Sequence, residues 1–303
     1  MVNQSKGLRI LSHFTLIFGV VISIGPLLFA LIAASNPVTG FANGAPVWFG
    51  DQLWVNFSAA WERGDFGRQL FNSTVVSLVL VVGKCFLATM TAFSITYFKW
   101  PGKNIVFWVV LLTLMLPLEV RIIPSYDIAA NVFGPLQFLA DATGLTYLLN
   151  KVLHTEVNLN LSLLDSYVGL TLPLMATVTG TFLFRQFYLT VPDALVDAAK
   201  LDGAGPFRFF LDILLPLSKV NIAALATISF IFGWNQYLWP LLITTDPNMK
   251  TAVIGLQAMI PGPDDLPLWN QALAATLIVV TPPVAVVLLL QKWFVKGLIS
   301  SEG

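Results

Sequence analysis

Lys84 sits near the middle of a long apolar run, Phe71–Phe98. A charge held in hydrocarbon costs roughly 2.5–3.5 kcal/mol on insertion scales, so an intramembrane lysine is a functional candidate by default. At 100° per residue, Ser73, Ser77 and Thr91 fall within about 20° of Lys84 on the helical wheel, which makes a polar stripe down one face. Two chemistries fit this pattern. A lysine on a solute pathway suits an anionic cargo such as a phosphate ester. A lysine paired with a buried carboxylate instead holds helices together. Glu119 and Arg121 close another apolar run; two residues apart, they point in different directions on a helix. They read either as anchors of a helix end or as an outer gate or contact for an extracytoplasmic protein. Asn235, Gln236 and Tyr237 lie late in an apolar run, where buried amides need partners. Helix–helix hydrogen bonding and substrate contact are equally open for them, and Asn221 and Thr227 favour a bundle interior for the same reason.

Bond-making chemistry is poorly represented. Cys85 is the single cysteine and His13 and His154 are the only histidines, which leaves no intrachain disulfide, no cysteine metal cluster and little basis for a histidine metal site. No metal or cofactor is expected on this chain. Gly83-Lys84-Cys85 and Gly102-Lys103-Asn104 lack the preceding glycine and following Ser/Thr of a phosphate-binding loop. No serine, histidine and acid are spaced as a catalytic set.

The elements that must position these residues are membrane helices. Of 303 residues, 56% are hydrophobic and 11% charged, and the mean hydropathy is +0.79. Soluble domains carry about 25% charged residues. A crossing helix needs roughly 20 apolar residues, and six segments qualify: Leu11–Ala34, Phe71–Phe98, Ile105–Ile122, Tyr167–Phe187, Leu217–Ile243 and Trp269–Gln291. The first has no small-residue cleavage site after it and reads as a retained span. The expected fold is all-α and polytopic, one transmembrane domain over residues 1–303. With both termini inside, the inner side carries ten Lys/Arg and the outer side five, which supports that orientation. Asp197 is then inside, and Asp51, His154 and Asp264 outside. Trp48, Trp54, Trp61, Trp100, Trp239, Trp269 and Trp293 fall near the expected interfaces.

One inner segment, residues 189–216, is long and only moderately polar. Thr190 can cap a helix, Pro192 suits its first turn, and Asp193 stands at capping-box distance. Asp193 and Asp197 favour the positive helix start. Gly203 can take the left-handed conformation that ends the helix. Pro206 opens a second short helix bearing Phe207, Phe209, Phe210 and Leu211. Helix, glycine corner and helix make either an amphipathic hairpin on the inner leaflet or a knob that docks into a partner.

The spacing within that segment resembles the EAA motif of ABC importer permeases. Asp197-Ala198-Ala199, Gly203, Ile213, Leu215 and Pro216 match it in order and interval, with Asp197 standing where the family usually has Glu. The stretches 114–122, 165–173, 181–187, 233–240 and 293–297 extend the likeness over nearly the whole chain, to the carbohydrate-uptake branch and its second permease subunit. The resemblance implies a type I importer permease fold, a coupling helix seated in a cytoplasmic ATPase, and an inner-membrane location. It also implies a homologous permease partner, two ATPase subunits that use ATP and Mg, and an extracytoplasmic solute-binding protein. The implied cargo is sn-glycerol-3-phosphate or a glycerophosphodiester, with a neutral sugar or oligosaccharide as the alternative. Residues 132–161 depart from the pattern as an extracytoplasmic insertion. Gly134, Pro135 and Gly144 break it, and no run in it reaches 18 apolar residues, so one or two short surface helices are expected there. A lipid-modifying membrane enzyme would need clustered acid, base or metal ligands. A secondary transporter would need more spans and repeats and would leave the inner knob without a partner.

Overall fold

The computed structural model describes residues 6–41, 44–153, 160–263 and 266–300, and among them the regular structure is entirely helical. His154 and Asp264 lie outside the described residues.

Helix α1 (Lys6–Ala34) is followed by a 3-10 turn at Val38–Phe41 and then by α2 (Leu53–Gly64), which Asp65 ends in the left-handed conformation at φ 48°. The long α3 (Phe66–Tyr97) follows. The predicted third span, 105–122, is broken: α4 (Lys103–Met115) stops at Leu116–Pro117, and α5 (Leu118–Ala130) begins anew. Pro117 has no N–H to give and disfavours helix at Leu116, so the chain restarts there. At 13 residues each, α4 and α5 are individually too short to cross hydrocarbon. Glu119 and Arg121 therefore sit in the first turn of a new helix and not at the end of an old one.

Among the described residues of 132–161 there are two nine-residue helices, α6 (Gly134–Ala142) and α7 (Leu145–Leu153), separated at Gly144. Their ends are tied at the base. Val132 N–H donates to the Leu161 carbonyl at 2.9 Å, and Leu163 N–H to the Ala129 carbonyl at 2.8 Å. The segment leaves and returns at one place.

The fourth predicted span is α8 (Tyr167–Thr171), a tight turn over Leu172–Leu174, and α9 (Val178–Thr190), with a bend of 50°. Pro173 interrupts the hydrogen-bond ladder there. After the inner segment, which contains α10 (Asp193–Leu201), α11 (Pro206–Phe209) and α12 (Leu215–Leu217), come α13 (Lys219–Trp234) and α14 (Leu238–Ile243). The fifth predicted span is thus interrupted at Asn235–Tyr237. Finally, α15 (Ala252–Met259) precedes α16 (Trp269–Ser300). By length and composition, α1, α3 and α16 can each cross a membrane unbroken, and the bent pairs raise the count to five; the α4 segment is the shorter remainder.

Contacts divide the chain into two compact units, residues 1–70 with 252–282 and residues 71–251 with 283–303. The first unit is pinned by a buried amide. Asn56 donates to the carbonyls of Ala34 at 2.8 Å and Asn36 at 2.9 Å, and accepts from Asn270 at 2.9 Å. One side chain so joins the end of α1, α2 and the start of α16. Along α1 the large apolar side chains from Ile10 to Phe29, such as Phe14, Ile17, Val21 and Leu28, are exposed, as lipid-facing residues are.

Among the described residues, the second unit gathers apolar side chains into two cores. One gathers Val76 and Leu80 of α3, Ile122 and Ala129 of α5, Leu170, Leu174, Trp239 and Ile243. Trp239 donates its indole N–H to the Gly169 carbonyl at 3.1 Å, so the largest ring in this core is also satisfied. The other core gathers Ala88, Ala92, Phe93, Phe184, Tyr188, Ala199, Phe209, Phe210, Leu214 and Leu225, and lies beneath the inner segment.

Candidate functional site

Two places in the second unit combine several of the residues singled out above. The first is the inner segment. Its capping differs from expectation. Thr190 is the last residue of α9, and its hydroxyl donates back to the Phe187 carbonyl at 2.7 Å. Pro192 is the N-cap of α10, and Asp193 begins the helix, favourably placed for its dipole. The far end is as predicted. Gly203 has φ 72°, its N–H donates to the Lys200 carbonyl at 3.0 Å, and Ala204 N–H donates to the Ala199 carbonyl at 2.8 Å. This pair of bonds is the Schellman closure, which needs a left-handed residue at the corner.

From that corner the chain runs back into the core. Phe209 and Phe210 are buried, with Phe210 5.0 Å from the Phe93 ring and Phe209 5.4 Å from Tyr97. A π-helical turn over Phe210–Leu214 carries the chain through Leu215–Leu217 into α13, with a bend of 74° at Ser218. Pro216 accordingly lies inside a helical turn. Ala199 and Leu214 face inward, Ile213 and Leu215 are half-buried, and Asp197, Ala198 and Gly203 are exposed. The outward apolar residues are Leu195, Leu201, Phe207 and Leu211, with Leu201 88% exposed. The knob is therefore fixed to the α3–α9 core on one side and presents apolar surface on the other. The Asp197–Lys200 ion pair at 3.0 Å is exposed on both sides and adds little rigidity.

The second place is a cavity of about 200 Å³ lined by Lys84 and Arg121 together with Thr177, Thr179, Ser229 and Phe232. Lys84 is 6% exposed, and its ammonium stands 4.3 Å from the centre of the Phe232 ring. Among the described residues no carboxylate lies within ion-pair distance of Lys84 or Arg121, and Arg121 Nε is buried without a hydrogen-bond partner. Two cations without a counter-ion in a low-dielectric wall attract an anion. Of the two readings of Lys84, pairing with a carboxylate finds no partner here.

Residues 84–300 match the family described as "Binding-protein-dependent transport system inner membrane component". The chain belongs to this family. It is a multi-pass permease of the inner membrane. Over 309 aligned residues, and over the full length of both chains, it is 46% identical to the sn-glycerol-3-phosphate transport system permease protein of Yersinia enterocolitica and 44% identical to that of Pectobacterium atrosepticum. The fold matches that of a bacterial ABC transporter involved in import of the acidic polysaccharide alginate. The TM-score is 0.74 at 15% identity, over 97% of this chain and 100% of that one. A second structure, bacterial alginate ABC transporter in complex with its pentasaccharide-bound periplasmic protein, matches with TM-score 0.63 at 14% identity over 93% and 92%.

Within this permease the polar stripe expected on α3 is only partly realised. Ser73 and Ser77 are buried, but Ser77 packs against α13, where a Cβ on Gly233 would come within 3.1 Å of the Ser77 Cα. Thr91 is half-buried two turns beyond Lys84. Neither Ser77 nor Thr91 is among the described residues lining the cationic cavity. Asn235 is exposed at the end of α13, and Gln236 donates to the Phe232 carbonyl at 3.1 Å; both serve the break between α13 and α14. Glu119 is exposed and stays apart from the cavity, whereas Arg121 enters it. The meeting of Arg121 with Lys84 is the feature that sequence reasoning missed. Helical periodicity relates residues within one run, and these two belong to runs 37 positions apart.

Proposed function

We propose that this chain is a membrane-spanning subunit of an ATP-driven importer whose cargo is sn-glycerol-3-phosphate or a related glycerophosphodiester. The observation that carries the cargo is the Lys84–Arg121 cavity, cationic and without a carboxylate among the described residues. The names of the full-length relatives support the same cargo. The chain works beside a homologous permease subunit, two cytoplasmic ATPases and an extracytoplasmic solute-binding protein, with ATP and Mg used by the ATPases. Residues 189–216 form the coupling knob. Its outward Leu195, Leu201, Phe207 and Leu211 fill a cleft of the ATPase, and its inward Phe209 and Phe210 pass rigid-body motion to α3 and α9. Such a contact supplies the differential interaction that a two-state change requires.

The test is uptake in proteoliposomes holding the whole complex, with a panel of labelled phosphate esters and neutral sugars. Lys84→Met is expected to lower phosphate-ester uptake roughly ten- to a hundredfold, the effect of losing a charge-assisted hydrogen bond of about 1.5–3 kcal/mol, while the complex still assembles. Lys84→Arg should keep part of the activity, since it keeps the charge. Uptake of a neutral oligosaccharide and of no phosphate ester would overturn the reading.

A further inference from the structure

We infer that the phosphate group of the cargo is held at the start of α9, where backbone N–H groups of Val178 and Thr179 meet Lys84 and Arg121. This rests on the cargo proposed above and names the subsite that binds it.

The break in the fourth span makes the subsite. The preceding turn, Leu172–Leu174 with Pro173 inside it, ends at Met175; Thr177 is extended at φ −140° and ψ 119°, and α9 starts at Val178. A helix start leaves its first N–H groups without intrahelical acceptors. Here Gly180 N–H is taken by the Thr177 hydroxyl at 3.2 Å, and Thr181 N–H by the Thr177 carbonyl at 3.3 Å. Among the described residues, the N–H groups of Val178 and Thr179 have no acceptor. Residues Ala176 to Thr179 line the same cavity as Lys84 and Arg121.

The second, independent observation is Lys84 itself. It is 94% buried by difference from its 6% exposure, lines this cavity and has no hydrogen bond or ion pair among the described residues. A buried ammonium has three donors to satisfy, and the Phe232 ring facing it accepts no full hydrogen bond. Free amides, the positive end of a 13-residue helix and two cations around one space make an anion site. A discontinuous membrane helix pointing its N-terminus at an anionic group is a known transporter arrangement.

Size and depth narrow the ligand. About 200 Å³ is below the roughly 300–1,000 Å³ of drug-sized sites, so the space takes a phosphate with a short alcohol and not an oligosaccharide. Along α3, Lys84 is roughly 20 Å of helix from Tyr97 and roughly 27 Å from Phe66. That depth favours a transported phosphate over a lipid headgroup, which stays at the interface.

The test uses the purified, detergent-solubilised complex and inorganic phosphate as probe. Its thermal midpoint is followed against potassium phosphate, with potassium chloride at equal ionic strength as control. The wild type is expected to show saturable stabilisation by phosphate. Lys84→Met should abolish it. Val178→Pro removes one N–H at the first helical position, where proline is tolerated after an extended residue, and should raise the half-saturating phosphate about tenfold. Val178→Ala keeps the N–H and should behave as wild type. No phosphate-specific stabilisation in the wild type, or equal stabilisation in the proline and alanine variants, would overturn the subsite. Reversal of the phosphate effect by phosphatidylglycerol would assign the site to a headgroup and overturn it as a cargo site. Uptake in the same preparations separates the two proposals. If glycerol-3-phosphate enters while phosphate binding ignores Lys84→Met and Val178→Pro, the cargo stands and the subsite falls. If Lys84→Met abolishes and Val178→Pro weakens phosphate binding but only neutral sugars enter, the subsite stands as an anion site and the cargo falls.

Discussion

At the scale of single residues, the polar side chains with most partners are structural. Asn56 makes three hydrogen bonds in a buried place and joins three helices of the first unit. Asn56→Ala leaves two carbonyls and the Asn270 amide short of a partner, and each such loss costs about 1–3 kcal/mol. A clear fall in the thermal midpoint of the solubilised protein is expected; an unchanged midpoint would show that water or lipid replaces the amide. Asp165 stands in the left-handed conformation at φ 51° and accepts from the Thr245 hydroxyl and N–H, both at 2.6 Å, and from the Asp246 N–H at 2.8 Å. The Thr245 hydroxyl first, then the Asp246 N–H, hold its carboxyl below the ordinary value. A depressed folded pKa gives stability that is present above the unfolded value and lost as pH falls through the folded one. Asp165→Asn keeps the shape and tolerates the same φ. The wild type should therefore exceed this variant in thermal midpoint at pH 7, and the difference should close as pH drops below about 4. A difference independent of pH would mean that the carboxylate charge is not what holds the loop.

At the scale of elements, the knob depends on one corner. Gly203 at φ 72° has open space where a Cβ would point, so conformation and not crowding reserves the site for glycine. Gly203→Val forces a β-branched residue into the left-handed region at about 1–2 kcal/mol. The cost is too small to unfold a membrane protein cored by α3, α9 and α13, and large enough to shift the Schellman bonds that aim α10. The variant is expected to reach the membrane in normal amount and to recover less ATPase on affinity purification, or to transport more slowly. Normal uptake with a normal complex would refute the role of the corner. The interruptions at Pro117, Pro173 and Asn235 belong to this scale as well. Each divides an apolar run that hydropathy reads as one span, and the one after Pro173 exposes the N–H groups of the proposed anion site.

At the scale of the whole molecule, orientation follows from the ten-to-five bias of Lys and Arg. On that bias we propose that both termini and Asp197 lie in the cytoplasm and Asp51, His154 and Asp264 outside. Single cysteines at these positions, in a background where Cys85 is replaced, should react with impermeant reagents only from the assigned side. Labelling of position 264 from the cytoplasm alone would invert the assignment and detach the knob from any cytoplasmic ATPase.

The sequence by itself determined the class, the approximate spans and the helix, glycine corner and helix of segment 189–216. Class and spans follow from composition and run length, which act locally: 20 apolar residues seek hydrocarbon wherever they occur. The glycine corner was legible for the same reason, because a helix end needs a left-handed residue within a few positions of its last turn. Local rules also explain the errors. Thr190 satisfies the capping pattern, yet α9 runs on through it and Pro192 takes the cap. The wheel aligned Ser77 and Thr91 with Lys84, but the close approach of α13 at Gly233 claims Ser77 for packing. Only the tertiary structure could bring Arg121, Thr177, Thr179 and Ser229 to Lys84, because those neighbours come from three other helical segments, and their meeting depends on where prolines break the runs and how the pieces pack.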